Sequence, residues 1–169
     1  SNSEIGILYL SNYNRKYLQK IFLEKNLEFH RLVKANAFVY LYKKHPLAKN
    51  KSIAFDQLKD YPNMSFDQGE NSSFYLGEEI LGQNEYPRTI KVNDRATMLN
   101  LMRGLNGYTL CSGIISEELN GNDYVAVPYQ ADKKNPNTVM EIGYIIRSHT
   151  ILSDIAEDYI NELKKYFEV

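Results

Sequence analysis

The 169-residue chain has a single cysteine, so no disulfide can form within it, which fits a reducing compartment. It also lacks an excess of charge of either sign: 20 Lys and Arg stand against 21 Asp and Glu. Phosphate-gripping domains carry a basic surplus or stripe, so this segment is not expected to hold nucleic acid itself. No apolar run approaches the roughly 18 residues of a membrane-spanning helix, and the start shows no signal-peptide pattern. No internal repeat or low-complexity tract is present, and no His, Cys, Asp or Glu cluster has metal-ligand spacing. Neither a metal nor a cofactor is expected. Gly104, Leu105, Asn106 and Gly107 follow an expected helix and precede an expected strand, the reverse of a phosphate loop, and read as a helix stop. Cys111 beside Ser112 is the material for an enzyme, with His45 or His149 as base. All three histidines lie away from it in the expected topology, and a cysteine on an apolar strand is usually a small buried hydrophobe. No enzyme is expected.

What the chain does contain is an alternation of strands and helices, sized for one ordinary domain or two small lobes. Residues 4–10 are an apolar run, followed by Ser11 and Asn12 as a helix start. Tyr13, Tyr17, Leu18, Ile21 and Phe22 recur at helical spacing up to about Lys25, with Asn26 as the cap. Residues 29–42 read as extended with an interruption at 34–36, and Pro46 ends that strand because it lacks a donor and restricts His45. Residues 52–58 form a short amphipathic segment, and 61–66 a strand. Then come a helix over 73–81 closed by Gly82, a strand at 88–92, a helix over 95–103, a strand at 108–111 and a short helix at 115–119. Short strands at 124–127 and 139–146 follow, separated by a polar crossover at 128–137. The last helix starts at Ser153 and places Leu152, Ile155, Tyr159, Leu163 and Phe167 on one face. Strands alternating with helices imply an α/β fold with a parallel sheet covered on both faces.

The stretch HPLAKNKSIAFDQLKDYPNMSF, beginning at His45, resembles the middle of the effector-binding domain of LysR-type transcriptional regulators. VNDRATMLNLMRGLNGYTLCSGII, beginning at Val92, resembles the same family's later helix, strand and loop. The resemblance implies a two-lobed fold similar to periplasmic solute-binding proteins, with residues 1–45 and 135–169 as a partial first lobe and 46–134 as the second lobe. The elements that open the family's first lobe, and the winged helix-turn-helix before them, have no counterpart ahead of residue 4. The chain is therefore expected to be an N-terminally truncated effector domain, and Ser1-Asn2 reads as the remnant of a removed tag. The joints between lobes are expected at 42–45 and 128–137.

In an open α/β sheet, ligands sit beyond the carboxyl ends of the strands, where helix N-termini favour an anion. Strand-end placement, together with the family pattern, puts Ser65, Phe66, Asn93, Asp94, Thr109, Ser112 and Gly113 around a cleft from the second lobe. Tyr9, Ser11 and Tyr42 are expected to face them from the first. Asp94 also reads as a plain helix N-cap and Asn93 as a turn residue; Gly113 would let backbone approach a ligand. The implied partner is a small-molecule effector such as a small organic acid. DNA is expected to be contacted only through the missing domain, with no membrane involved, and the longer protein is expected to be a cytoplasmic homo-oligomer. The alternative with the same architecture is the solute-binding receptor of a membrane transporter.

Overall fold

The computed structural model describes residues 3–67, 86–130 and 138–168. The helix expected at 73–81 and residues 131–137 of the expected crossover lie outside the described residues. The chain divides into two compact units, Ser1–Ala35 with Val139–Val169, and Asn36–Thr138.

The smaller unit has a three-stranded sheet ordered β1-β9-β2, from β1 (Gly6–Leu10), β2 (Leu27–Asn36) and β9 (Val139–Arg147). Helix α1 (Arg15–Lys25) follows β1 and ends at Asn26, whose left-handed φ of 51° suits asparagine at a helix C-terminus. Leu18 and Phe22 of α1 pack with Leu8, Leu10, Phe29 and Ile145, whereas Ile160, Leu163 and Phe167 of α5 (Asp154–Phe167) pack with Leu32, Tyr144 and Ile146. Alternation along the strands assigns these two clusters to opposite faces of the sheet. Ser153 caps α5, accepting from the Ala156 N–H at 3.3 Å. The apolar face of α5 differs from the expected one: Ala156 and Ile160 are buried, while Ile155 is 82% exposed. The helix carries more apolar positions than one stripe can bury, and periodicity alone did not say which stripe meets the sheet.

The larger unit is built on a six-stranded sheet ordered β4-β8-β3-β7-β5-β6, from β3 (Phe38–Tyr42), β4 (Ile53–Ala54), β5 (Asn63–Phe66), β6 (Thr89–Val92), β7 (Tyr108–Cys111) and β8 (Tyr124–Gln130). β5 runs parallel to β6 and β7, and β4 parallel to β8, while β3 is antiparallel to both β7 and β8. Helix α3 (Arg95–Leu105) covers one face, with Met98 and Met102 against Tyr40, Met64 and Val92. Single-turn helices α2 (Phe55–Leu58) and α4 (Glu117–Asn120) complete the described elements.

Two expectations are corrected by the strand pairing. β3 is central to the larger sheet rather than part of the first lobe, so the chain passes between units at 35–36 and 138–139, not at 42–45 and 128–137. β8 also runs through Pro128, where a crossover was expected to begin. The Tyr129 N–H donates to the carbonyl of Ala37, just before β3, at 3.0 Å, so the nitrogen of Pro128 faces the other way. There β4 reaches only Tyr129 and Gln130, and the missing donor breaks no ladder bond.

Candidate functional site

The parallel strands β5, β6 and β7 end on one edge of the larger sheet, next to the start of α3. Phe66 is level with Val92, and the Asp67 N–H donates to the Val92 carbonyl at 2.9 Å. Phe66 packs into the cluster under α3, so Ser65, which is buried, faces away from that helix.

Asn93 and Asp94 are exposed at the turn into α3. The Asp94 carboxylate accepts the Thr97 N–H at 2.8 Å and its hydroxyl at 2.7 Å, and these bonds hold it below the usual carboxylate range. The positive end of α3 thereby meets the chain's own carboxylate, in keeping with Asp94 as a plain helix N-cap. Asp94→Ala is expected to lower the unfolding midpoint of the larger unit, and Asp94→Asn to restore most of it, in thermal melts followed by circular dichroism.

After β7 the chain turns sharply. The Ile114 N–H donates to Ser112 Oγ at 3.3 Å, and the Gly113 N–H to Cys111 Sγ at 3.4 Å. Gly113 has φ 76°, and a Cβ there would lie 2.6 Å from the Phe38 ring. Its lack of a side chain thus admits Phe38, which pairs with Cys111 across the strands. The Cys111 thiol is pushed up by burial, with the Gly113 N–H opposing, so it is held as a thiol and makes a poor nucleophile. His45 lies at the other end of the unit with both ring nitrogens bonded, to Asn106 and Leu47.

Ser65, Phe66, Asn93, Asp94, Ser112 and Gly113 therefore share the carboxyl edge of one sheet. Thr109 sits two residues below it, opposite Tyr40. Tyr42 does not join them: it pairs with Tyr124, the first residue of β8, about 13 Å along the strand from Phe38. Its ring holds the Arg103 guanidinium at 5.3 Å and meets the Tyr124 ring edge-on. Tyr9 and Ser11 belong to the smaller unit. There the buried Asn14 side chain takes up their backbone groups, accepting the Ser11 N–H at 2.8 Å and donating to the Tyr9 carbonyl at 3.1 Å. Close by in sequence, Arg15 reaches Glu141 at 2.9 Å and Arg31 reaches its other oxygen at 3.5 Å, which holds the Glu141 carboxyl low.

Sequence reasoning passed over Tyr40 and Arg95. Arg95 Nη1 donates to Asn120 Oδ1 at 2.8 Å, tying the start of α3 to α4. The signal for Tyr40 was the alternation FVYLY, which turns a tyrosine inward and obliges its hydroxyl to find a partner. Among the described residues no group of three or more His, Cys, Asp or Glu could hold a metal ion. No described helix is long and apolar enough to cross a membrane.

No curated protein sequence matches the chain. Solved structures match it in fold. The effector-binding domain of QuiR in complex with shikimate is 19% identical, with a TM-score of 0.57 over 98% of this chain and 72% of that one. The reduced OxyR regulatory domain from Pseudomonas aeruginosa is 16% identical, with a TM-score of 0.63 over 96% and 72%. The Synechocystis CcmR regulatory domain in complex with 2-PG is 13% identical, with a TM-score of 0.58 over 98% and 74%. The sequence pattern of the LysR substrate binding domain matches residues 15–168. The chain therefore belongs to the LysR substrate binding domain family.

Proposed function

We propose that the chain is the ligand-sensing part of a bacterial transcription regulator and binds a small organic acid or similar metabolite at the carboxyl edge of the larger sheet. The observation that carries this is the common ending of β5, β6 and β7 beside the start of α3, where ligands of open α/β sheets collect. The match to the LysR substrate binding domain supports regulation over transport, as does the likeness to regulators crystallised with shikimate and 2-PG. DNA is then contacted by a helix-turn-helix domain of a longer, cytoplasmic, oligomeric protein.

A ligand that binds only the folded chain raises its stability by about 2.7 kcal/mol at one hundred times its dissociation constant. Thermal unfolding with shikimate and with 2-PG, each titrated over a wide concentration range, is expected to show a rising midpoint for at least one acid. Ser112→Val is expected to reduce that rise. A flat midpoint across the acids, and across a wider set of metabolites, would falsify the sensor assignment.

A further inference from the structure

Tyr40 lies mid-strand in β3, between Thr109 of β7 and Ala126 of β8. It is 8% exposed, and its hydroxyl has no hydrogen-bond partner among the described residues. Buried hydroxyls are normally bonded, and each exception calls for a reason. The neighbouring tyrosines follow the rule: Tyr124 donates to the Leu99 carbonyl at 2.7 Å, and the Tyr108 hydroxyl bonds the Asn63 side chain. Tyr40 alternates with Val39 and Leu41, so it points to the α3 face.

The surroundings on that face are of two kinds. Met64, Val92, Met98 and Met102 close off the interior beneath α3, while Phe66, Cys111 and Ile115 are only partly buried and form the outer part of the same cluster. The Tyr124 ring lies 5.7 Å from that of Tyr40, and burial, with Cys111 and Tyr124 adding to it, pushes the Tyr40 hydroxyl up against the opposing charge of Arg95, which is exposed at the start of α3. Cys111 Sγ already takes the Gly113 N–H, and Asp94 is turned to Thr97. Arg95 bonds the neutral Asn120 side-chain amide and pairs with no carboxylate among the described residues, so its charge can meet an incoming anion. Partly buried apolar side chains, one inward hydroxyl and one nearby cation make up the composition of a small-ligand site.

Resting on the effector assignment above, we propose that Tyr40 donates the hydrogen bond that reads the effector, a compact carboxylate whose apolar body lies against Phe66, Cys111 and Ile115. Arg95 attracts the acid, and the Tyr40 hydroxyl selects for an acceptor oxygen at the inner end. Without the ligand, the hydroxyl is a cost to the fold; with it, the hydroxyl is satisfied.

Tyr40→Phe keeps the ring and removes only that group. The unliganded variant is expected to melt about 3 °C higher than the parent chain, as when an unsatisfied buried group is removed. Both proteins are then incubated with a small-molecule extract of bacterial cells, and the retained compounds are identified by mass spectrometry and titrated. The expected result is an acid held by the parent chain and bound about tenfold or more weakly by Tyr40→Phe, the loss of one charge-assisted hydrogen bond. Equal affinity in the two proteins, or a lower melting point for Tyr40→Phe without ligand, overturns the role of Tyr40 and leaves the sensor assignment standing. A parent chain that retains no small molecule overturns the sensor assignment itself.

Discussion

Gly143→Ala is expected to destabilise the smaller unit by about 3 kcal/mol, the upper end of what forcing extra atoms into a filled core costs. Gly143 sits in β9, the middle strand of its sheet, opposite Leu8 of β1. A Cβ there would lie 2.2 Å from the carbonyl oxygen of His30 and 2.7 Å from the Phe29 ring. A side chain can swing aside, but the carbonyl belongs to β2 and can move only with its strand. Phe29 in turn stacks on Phe22 with ring centroids 6.4 Å apart, so a displaced β2 also disturbs the seat of α1. Gly104→Ala is the control. Gly104 is inside α3, and a Cβ would meet nothing within 4 Å, so alanine is expected to leave stability unchanged or raise it by up to about 1 kcal/mol. Urea unfolding gives the two free energies, and amide exchange in β1 and β9 shows whether the loss at Gly143 is confined to the smaller unit. Equal stability of Gly143→Ala and the parent chain would mean that β2 yields without cost.

The contrast between these glycines shows what a single sequence can record. Helix ends were legible because their causes are local: Asn26 and Asn106 take left-handed angles just where α1 and α3 stop, and Asp94 and Ser153 accept the first free donors of α3 and α5. The family was legible through HPLA and the long run around α3. The identity of neighbouring strands was not, because the pairings that place β3, Phe38 with Cys111 and with Pro128, join residues remote in sequence. That is why Tyr42 was assigned to a cleft and is found at the opposite edge of the sheet. The same limit hid Tyr40, whose inward direction follows from local alternation but whose surroundings are supplied by β7, β8 and α3. That Ser65, Phe66, Asn93, Asp94, Ser112 and Gly113 share the carboxyl edge of the sheet was legible because strand ends can be located from turns alone.

His45 opens the HPLA motif, and its protonation is expected to destabilise the larger unit as the pH falls below about 6.5. The ring is 3% exposed and lies 4.4 Å from that of Tyr61. The Leu47 N–H donates to Nδ1 at 3.0 Å, so Nδ1 must offer a lone pair. Nε2 then carries the hydrogen and donates to the Asn106 carbonyl at 3.0 Å, fastening the turn after β3 to the C-cap of α3. Burial is the larger influence and pushes the His45 pKa below 6.5, against the smaller opposing effect of the Asn106 carbonyl. A histidine with a depressed folded pKa leaves the unfolded chain binding more protons. Its stabilising contribution is therefore complete above about pH 6.5 and is lost on acidification until the folded pKa is reached, at no more than about 1.4 kcal/mol per pH unit. The carboxylates held low, Glu4, Asp94, Asp123 and Glu141, have ordinary values of 3.8 to 4.5 and act mainly at lower pH, so the interval between about 6.5 and 5 lies above them, and comparison with His45→Gln gives the part that belongs to His45. Urea unfolding at pH 7.5, 6.5, 5.5 and 5 is expected to show falling stability in the parent chain. His45→Gln leaves the Leu47 N–H and the Asn106 carbonyl poorly matched, and is expected to be about 2 kcal/mol less stable at pH 7.5, with little slope over the same interval. A slope that survives in His45→Gln would mean that the turn at HPLA owes its hold to something other than a neutral imidazole.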